Sequence, residues 1–188
     1  RVAGRHLDNL SPILLGGAVL VRSVEPIDVV RLPTPTNLRV ALALPDYAMR
    51  TADARAVLPR EVALATVVHQ TAQIASLVAA LASGDLALLG RATDDRMIEP
   101  VRAPLLRGFR EAQAAALAAG ALGASIAGSG PTIFAFVDGS QGDEAAERVA
   151  SAMADAYRAL GLNATSRVAQ VDTRGARIEF EDFEEISA

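Results

Sequence analysis

A glycine-rich run between two apolar segments constrains this chain more than any other stretch. Gly123 to Phe136 reads GASIAGSGPTIFAF and leads from an alanine-rich, helix-forming segment into Thr132 to Val137, whose pattern predicts a buried strand. Gly128 and Gly130 lack a Cβ, so they adopt positive φ readily and let backbone N–H groups converge on an anion. Ser129 adds a hydroxyl group. A turn of this kind also occurs as a plain helix-to-strand connection, so the rest of the chain must decide between the two.

The composition indicates a folded protein and excludes several kinds of chemistry. Of the 188 residues, 51% are hydrophobic and 21% are charged, which is not the composition of a disordered chain. All 18 basic residues are arginine, so no lysine is present for a Schiff base or a Walker-type phosphate site. Cysteine is absent, and His6 and His69 are the only histidines. Disulfides, cysteine nucleophiles and zinc sites without carboxylate ligands are therefore excluded.

Charge and hydropathy predict the surroundings of the protein. The net charge is −4 at pH 7 and the arginines are dispersed among acidic residues, so we expect no nucleic-acid partner. Apolar stretches such as residues 74–82 are shorter than the roughly 20 residues that span a bilayer, so we expect no membrane partner. The absence of cysteine and of a signal-like segment favours a cytoplasmic protein. The chain begins at Arg1 inside a segment that has the pattern of folded structure, so we expect a piece of a longer protein.

The hydrophobic pattern alternates between helix-type and strand-type segments. Helices are predicted at residues 5–17, 51–58, 61–82, 85–92, 109–119 and 143–160, and strands at 18–22, 28–32, 38–44, 132–138, 165–173 and 176–180. Residues 94–108 contain two prolines and are predicted to be irregular, whereas residues 33–37 (PTPTN) are predicted to be a linker. The pattern predicts an α+β fold with helices on one face of an antiparallel sheet.

Polar residues at the start of the first predicted helix form one candidate site. His6, Asp8 and Asn9 lie within four positions of one another. Asp8 and Asn9 are also residues that cap helices, and His6 is equally compatible with a solvated position.

Two arginines form a second candidate group. Thr51 and Arg55 are four residues apart, on one face of a predicted helix, and Arg102 lies between Pro100 and Pro104 in a rigid segment. Both arginines are also compatible with solvated surface positions. Together with the glycine run, they suit a ligand that carries a carboxylate and meets a phosphoryl group, because guanidinium groups bind such oxyanions bidentately.

Four segments resemble motifs of the homoserine kinases, which are GHMP small-molecule kinases. They are RHLDNLSPILLGG (5–17), TADARAVLP (51–59), EPVRAPL (99–105) and GASIAGSGP (123–131), in the order that the family has. Ala127 stands where the family usually has serine. The nucleotide-binding loop of the superfamily, P-x-x-x-G-L-G-S-S-A, is absent from this chain.

The resemblance implies an activity and a domain organisation. The expected reaction is the ATP-dependent phosphorylation of the side-chain hydroxyl of L-homoserine to O-phospho-L-homoserine, in threonine biosynthesis. ATP and Mg²⁺ would be bound mainly by a missing N-terminal part, with no metal ligand in this chain. Residues 1–36 would end a domain like that of ribosomal protein S5, residues 37–180 would form a ferredoxin-like C-terminal domain, and residues 181–188 an acidic tail. A homodimer is also expected, because dimers are common in the family.

The resemblance also assigns roles to individual residues. Contact with the substrate is expected from His6, Asp8, Asn9, Thr51, Arg55, Arg102, Gly128, Ser129 and Gly130. Arg55 and Arg102 would hold the amino-acid carboxylate, and the glycine turn would lie beside the transferred phosphate. Asp8 is the candidate catalytic residue, as a weak proton acceptor, although phosphoryl transfer depends mainly on alignment and charge stabilisation.

Two other functions remain open on the sequence. Another GHMP kinase, acting on mevalonate or a sugar, would need the glycine turn but not both Arg55 and Arg102. A ferredoxin-like regulatory module that binds an amino acid would need the arginines and would leave the glycine turn as a connection. A nucleotide loop encoded upstream of Arg1 would distinguish an enzyme from such a module.

Overall fold

The chain divides into two compact units at the start of the predicted linker. The structure, a computed structural model, describes residues 7–178. Residues 7–32 and 172–178 form the first unit, and Pro33–Val171 forms the second. Residues 172–178 therefore lie with the first unit, although the sequence places them in the same domain as residues 37–171. The assignment of either unit to a domain of a longer protein stays a prediction, and the acidic tail, 181–188, lies outside the described residues.

The first unit contains a helix followed by a hairpin. Helix α1 (Leu7–Leu15) precedes strands β1 (Ala18–Val24) and β2 (Ile27–Leu32), which pair antiparallel. Gly16 and Gly17 end α1 with φ of 71° and 75°, a backbone conformation that glycine adopts at little cost. The predicted helix and hairpin are confirmed.

The second unit contains most of the helices and the larger sheet. Its elements are β3 (Leu38–Pro45), α2 (Thr51–Ala56), α3 (Leu64–Ser83), α4 (Leu86–Arg91), α5 (Glu99–Arg102), a 3-10 turn (Ala103–Leu105), α6 (Phe109–Ala118), β4 (Gly123–Ile126), β5 (Ile133–Asp138), α7 (Glu144–Ala159) and β6 (Ala164–Ala169). The carboxylate of Asp85 accepts a hydrogen bond from the N–H of Leu88 at 2.8 Å and caps α4. The helix predicted at residues 85–92 is confirmed.

The order of the strands in the sheet of the second unit identifies its topology. The order is β4-β5-β3-β6, and each neighbouring pair is antiparallel. Helices connect β3 to β4 and β5 to β6, whereas β4 and β5 form a hairpin. This is the βαββαβ arrangement of ferredoxin-like domains. The predicted α+β class and ferredoxin-like fold are therefore confirmed.

The core lies between this sheet and helices α6 and α7. The sheet contributes small side chains, such as Ala41 and Ala135, and the helices contribute larger ones, including Phe109, Met153 and Tyr157. All five are at most 1% exposed. Burial of one large apolar side chain stabilises a fold by about 1.5–3 kcal/mol, so this layer holds the sheet and its hairpin in place.

Helix α3 differs from the core helices because most of its apolar surface is exposed. Leu64 and Val68 are 77% and 61% exposed, and no Asp, Glu, Lys or Arg occurs along the 20 residues. By length and composition alone α3 could cross a membrane, with a mean hydropathy of 1.4. The prediction that every apolar stretch is too short is therefore wrong. One such helix is weak evidence for a membrane span, because helices of soluble proteins meet the same criterion.

Three predictions about individual elements are also wrong. The segment 94–108 contains α5 and the 3-10 turn, because the carboxylate of Asp95 accepts the N–H groups of Met97, Ile98 and Glu99 and starts the helix. The glycine run begins with β4, so its turn joins two strands rather than a helix and a strand. Strand β6 ends at Ala169, and residues 176–178 form no strand; residues 179 and 180 lie outside the described part.

Candidate active site

Arg102 joins two segments that the sequence singles out separately. Its Nε donates to the backbone oxygen of Ala54 in α2 at 3.2 Å, and its NH1 donates to the backbone oxygen of Gly128 at 2.9 Å. The guanidinium therefore links α2, α5 and the glycine turn. We call Thr51, Arg55, Arg102 and Gly128–Gly130 the arginine–glycine site.

Helix α2 presents the two residues predicted on it to solvent. Thr51 and Arg55 are both exposed, whereas Ala54, the residue that accepts from Arg102, is 1% exposed. The buried alanine anchors the helix, and the next residue along the chain is Arg55. The predicted helical placement of Thr51 and Arg55 is confirmed, while their role in binding stays a prediction.

The glycine turn has the backbone conformation that its sequence predicts. Gly128 and Gly130 have φ of 61° and 80°. The N–H of Ala127 donates to the oxygen of Thr132 at 2.9 Å, and the N–H of Gly130 donates to the oxygen of Ala127 at 3.0 Å. Gly130 is thus committed to the turn itself. Within residues 7–178, the N–H groups of Gly128 and Ser129 have no protein acceptor, so these two donors can meet an anion.

The two turn glycines have different surroundings. A Cβ built on Gly128 has no heavy atom within 4 Å, whereas one built on Gly130 lies 2.8 Å from a methyl carbon of Leu106. Gly128 therefore faces open space beside Arg102, and Gly130 packs against the segment that follows α5. The first position suits a ligand, and the second fixes the turn.

Sequence reasoning missed a buried polar network beside this site. Glu99 is 6% exposed, and its carboxylate accepts from Arg110 NH1 at 2.6 Å, Ser125 Oγ at 2.7 Å and Gln113 Nε2 at 3.1 and 3.2 Å. Gln113 Nε2 also donates to the backbone oxygen of Ala124 at 2.9 Å. The signal available in the sequence was the position of Glu99 at the start of the EPVRAPL segment, next to a proline and three residues before Arg102.

Two of the three residues predicted at the start of the first helix, Asp8 and Asn9, lie on α1. Asp8 and Asn9 are exposed and lie inside the first turn of the helix rather than at its cap. His6 lies outside the described residues. Asp8 and Asn9 belong to the first unit, whereas every residue of the arginine–glycine site belongs to the second.

The described residues contain no cluster of side chains that could hold a metal ion by themselves. Between residues 7 and 178, no group of three or more His, Cys, Asp or Glu side chains is placed to hold a metal. We therefore assign no step to a metal held by these residues.

Comparisons with known proteins identify the second unit. The family model for the GHMP kinases C terminal matches residues 77–159. The crystal structure of homoserine kinase from Cytophaga hutchinsonii superposes with a TM-score of 0.88 at 42% identity, covering 92% of this chain and 54% of that one. The chain contains a GHMP kinase C-terminal domain. The matched range includes Arg102 and the glycine turn.

Curated proteins similar to this chain include homoserine kinases. The one from Chlorobium phaeobacteroides is 44% identical over 175 residues, which are 92% of this chain and 54% of that protein. The one from Arabidopsis thaliana is 38% identical over 182 residues, which are 95% of this chain and 48% of that protein. The chain thus spans about half the length of the curated relatives it matches.

Proposed function

We propose that the protein to which this chain belongs is a homoserine kinase, which transfers a phosphoryl group from ATP to the side-chain hydroxyl of L-homoserine. The observation that carries the proposal is the 44% identity to a homoserine kinase over 92% of the chain. The arginine–glycine site supports it, because cations and free N–H donors meet there and suit a substrate with a carboxylate beside a phosphoryl group. The wider group of GHMP kinases and a binding module are not favoured, since neither accounts for that identity.

The arginines would bind the carboxylate of homoserine. Arg102 uses two of its five N–H donors on the carbonyl groups of Ala54 and Gly128, so three remain for a ligand. Arg55 lies beside Ala54 on the exposed surface of α2. A guanidinium held by two backbone bonds loses little further freedom when it meets a carboxylate, so it can bind with small entropic cost.

The glycine turn would lie beside the phosphoryl group during transfer. The free N–H groups of Gly128 and Ser129 can stabilise negative charge that develops on its oxygens. Alignment and charge stabilisation account for most of the catalysis of phosphoryl transfer, so no strong base is required. Asp8, as the weak proton acceptor, together with Asn9 and His6, would supply polar contacts to the amino or hydroxyl group of the substrate.

The nucleotide would be held elsewhere in the protein. ATP supplies the phosphoryl group, and we propose that it and Mg²⁺ bind mainly through residues outside this chain, because the nucleotide-binding loop of the superfamily is not among its 188 residues. A cytoplasmic location and a homodimer are part of the same proposal.

Steady-state kinetics of the intact protein tests the function. Arg55→Ala is the sharper variant, because Arg55 is exposed and its loss leaves the core intact. Removing a charge-assisted contact of about 1.5–3 kcal/mol should raise the KM for homoserine by about 10- to 150-fold. The KM for ATP should stay within about twofold, because the role proposed for Arg55 concerns the carboxylate of homoserine alone. Arg148→Ala, which alters an exposed arginine on α7, is the matched control.

Three results would contradict the proposal. Wild-type protein that forms no O-phosphohomoserine from ATP and homoserine is not this enzyme. Turnover of mevalonate or a sugar in its place would indicate another GHMP kinase. Saturable homoserine binding without phosphorylation would indicate a regulatory module.

A further inference from the structure

Glu99 is a buried charged side chain to which the proposed chemistry gives no role. Among the described residues, the buried polar positions are Ser11 and Glu99, each 6% exposed. An ionised carboxylate removed from water is costly unless it is paired and hydrogen-bonded. A buried carboxylate beside a candidate site therefore indicates that this side chain has a specific role.

The carboxylate of Glu99 is saturated by donors from two other elements. Oε1 accepts from Arg110 and Gln113 on α6, and Oε2 accepts from Gln113 and from Ser125 on β4. The amide of Gln113 cannot reverse its roles, because its nitrogen also donates to the oxygen of Ala124 and its oxygen accepts from Arg110. The network therefore requires an acceptor at both oxygens of residue 99.

Two side-chain hydrogen bonds attach α5 to the opposite segment of the chain, one to strand β4 and one to the glycine turn that follows it. Glu99 bonds to Ser125, and Arg102 bonds to Gly128; each pair is separated by 26 residues in the chain. The first bond fixes α5 relative to the strand, and the second fixes the guanidinium relative to the turn. A displacement at Glu99 would therefore be transmitted to Arg102 within one turn of helix.

We propose that Glu99 is a positioning residue that sets the placement of Arg102 relative to the glycine turn. It does so through its bonds to α6 and β4, without touching the substrate. This inference rests on the proposed function for its kinetic consequence and on the structure alone for its effect on the turn.

Glu99→Gln is the informative variant because it keeps the size of the side chain and removes one acceptor. The new amide would meet the fixed amide of Gln113 or the guanidinium of Arg110, both of which are donors. Ser125→Ala is a milder second variant, which removes one donor and keeps the carboxylate paired. Glu111→Gln makes the same chemical change at an exposed position of α6 and serves as the control.

Two measurements on the intact protein test the proposal together. In Glu99→Gln, the KM for homoserine should rise about tenfold while the KM for ATP stays within about twofold, because misplaced binding groups act on their own substrate. Hydrogen exchange of the N–H groups of Ala127 and Gly130, which close the turn, should accelerate about tenfold, whereas exchange in β6 stays unchanged. Ser125→Ala should shift both quantities in the same direction by a smaller factor, and Glu111→Gln should shift neither.

The outcomes separate the two claims. Faster exchange at the turn with an unchanged KM for homoserine overturns the positioning role. A changed KM for homoserine with an unchanged exchange rate at the turn also overturns it. Exchange that accelerates equally throughout the sheet overturns it as well, because the effect is then not confined to the turn. If Glu99→Gln does not fold, Ser125→Ala decides by the same criteria. If wild-type protein does not phosphorylate homoserine, the proposed function fails, and the exchange measurement alone decides whether Glu99 holds the turn.

Discussion

Replacement of Arg102 by lysine tests whether one guanidinium holds α2 and the glycine turn together. Two nitrogens of Arg102 donate in different directions, to the carbonyl groups of Ala54 and Gly128. Lysine keeps the charge but carries a single nitrogen on a flexible stem, so it cannot reproduce this two-pronged contact. Arg102→Lys therefore removes at least one bond without changing the net charge.

The surroundings of the two carbonyl groups set the size of the effect. A hydrogen bond from a charged donor contributes about 1.5–3 kcal/mol. Ala54 is buried, so the loss of its bond falls at the upper end of that range, whereas Gly128 is exposed and water can replace the donor. We expect Arg102→Lys to lower the free energy of unfolding by about 2–3 kcal/mol.

Urea denaturation followed by circular dichroism measures this change. The midpoint should fall while the slope of the transition stays constant, because the surface exposed on unfolding is unaltered. Arg148→Lys, on the exposed surface of α7, is the matched control and should change the free energy by less than about 0.5 kcal/mol. If the two variants are equally stable, the bonds to Ala54 and Gly128 contribute nothing and the argument for a structural link is wrong.

Two further predictions concern the turn and the core. Gly130→Ala should lower the melting temperature more than Gly128→Ala, because both have positive φ but only the Cβ at residue 130 meets Leu106, at 2.8 Å; equal losses would contradict this. Tyr157→Phe should leave the melting temperature at pH 7 unchanged or higher, since the buried hydroxyl has no partner among the described residues. Burial also raises the pKa of Tyr157 in the folded protein above its usual 10.0. As the pH rises above 10.0, the hydroxyl of the unfolded chain ionises first, so the wild type should lose stability relative to the variant there and not below. A difference in melting temperature between the two proteins that stays constant from about pH 7 to 11 would refute this.

Features set by local residues were predictable from the sequence. The glycines at 16, 84 and 161 end helices with positive φ, and Asp85 caps α4. In each case the determining contact lies within a few residues of the signal, so pattern and residue type suffice. The alternating pattern of β3 likewise follows from burial of one face.

Features set by distant residues were not predictable in the same way. Strand β4 is four residues long, and it forms because its backbone pairs with β5, Ser125 donates to Glu99 of α5, and the backbone oxygen of Ala124 accepts from Gln113 of α6. Helix α5 is four residues long, and Glu99 in its first turn is held by Ser125 on β4. Neither segment has a periodicity long enough to identify it, because both depend on contacts that exist only after the chain has folded.

The site shows how these distant contacts shape the choice of residues at its centre. The three steps from Glu99 to Arg102 rise about 4.5 Å in a helix, whereas the three steps from Ser125 to Gly128 would extend about 10 Å in a strand. The hydrogen bonds between Glu99 and Ser125 and between Arg102 and Gly128 can both form only under two conditions. The chain must leave the strand direction after Ile126, and a long side chain must reach the turn. Glycine at 128 provides the first condition with a φ of 61°, and the length of arginine at 102 provides the second. Arg102 and Gly128, two of the residues that the sequence singles out for binding a ligand, are therefore also the two that join α5 to the turn.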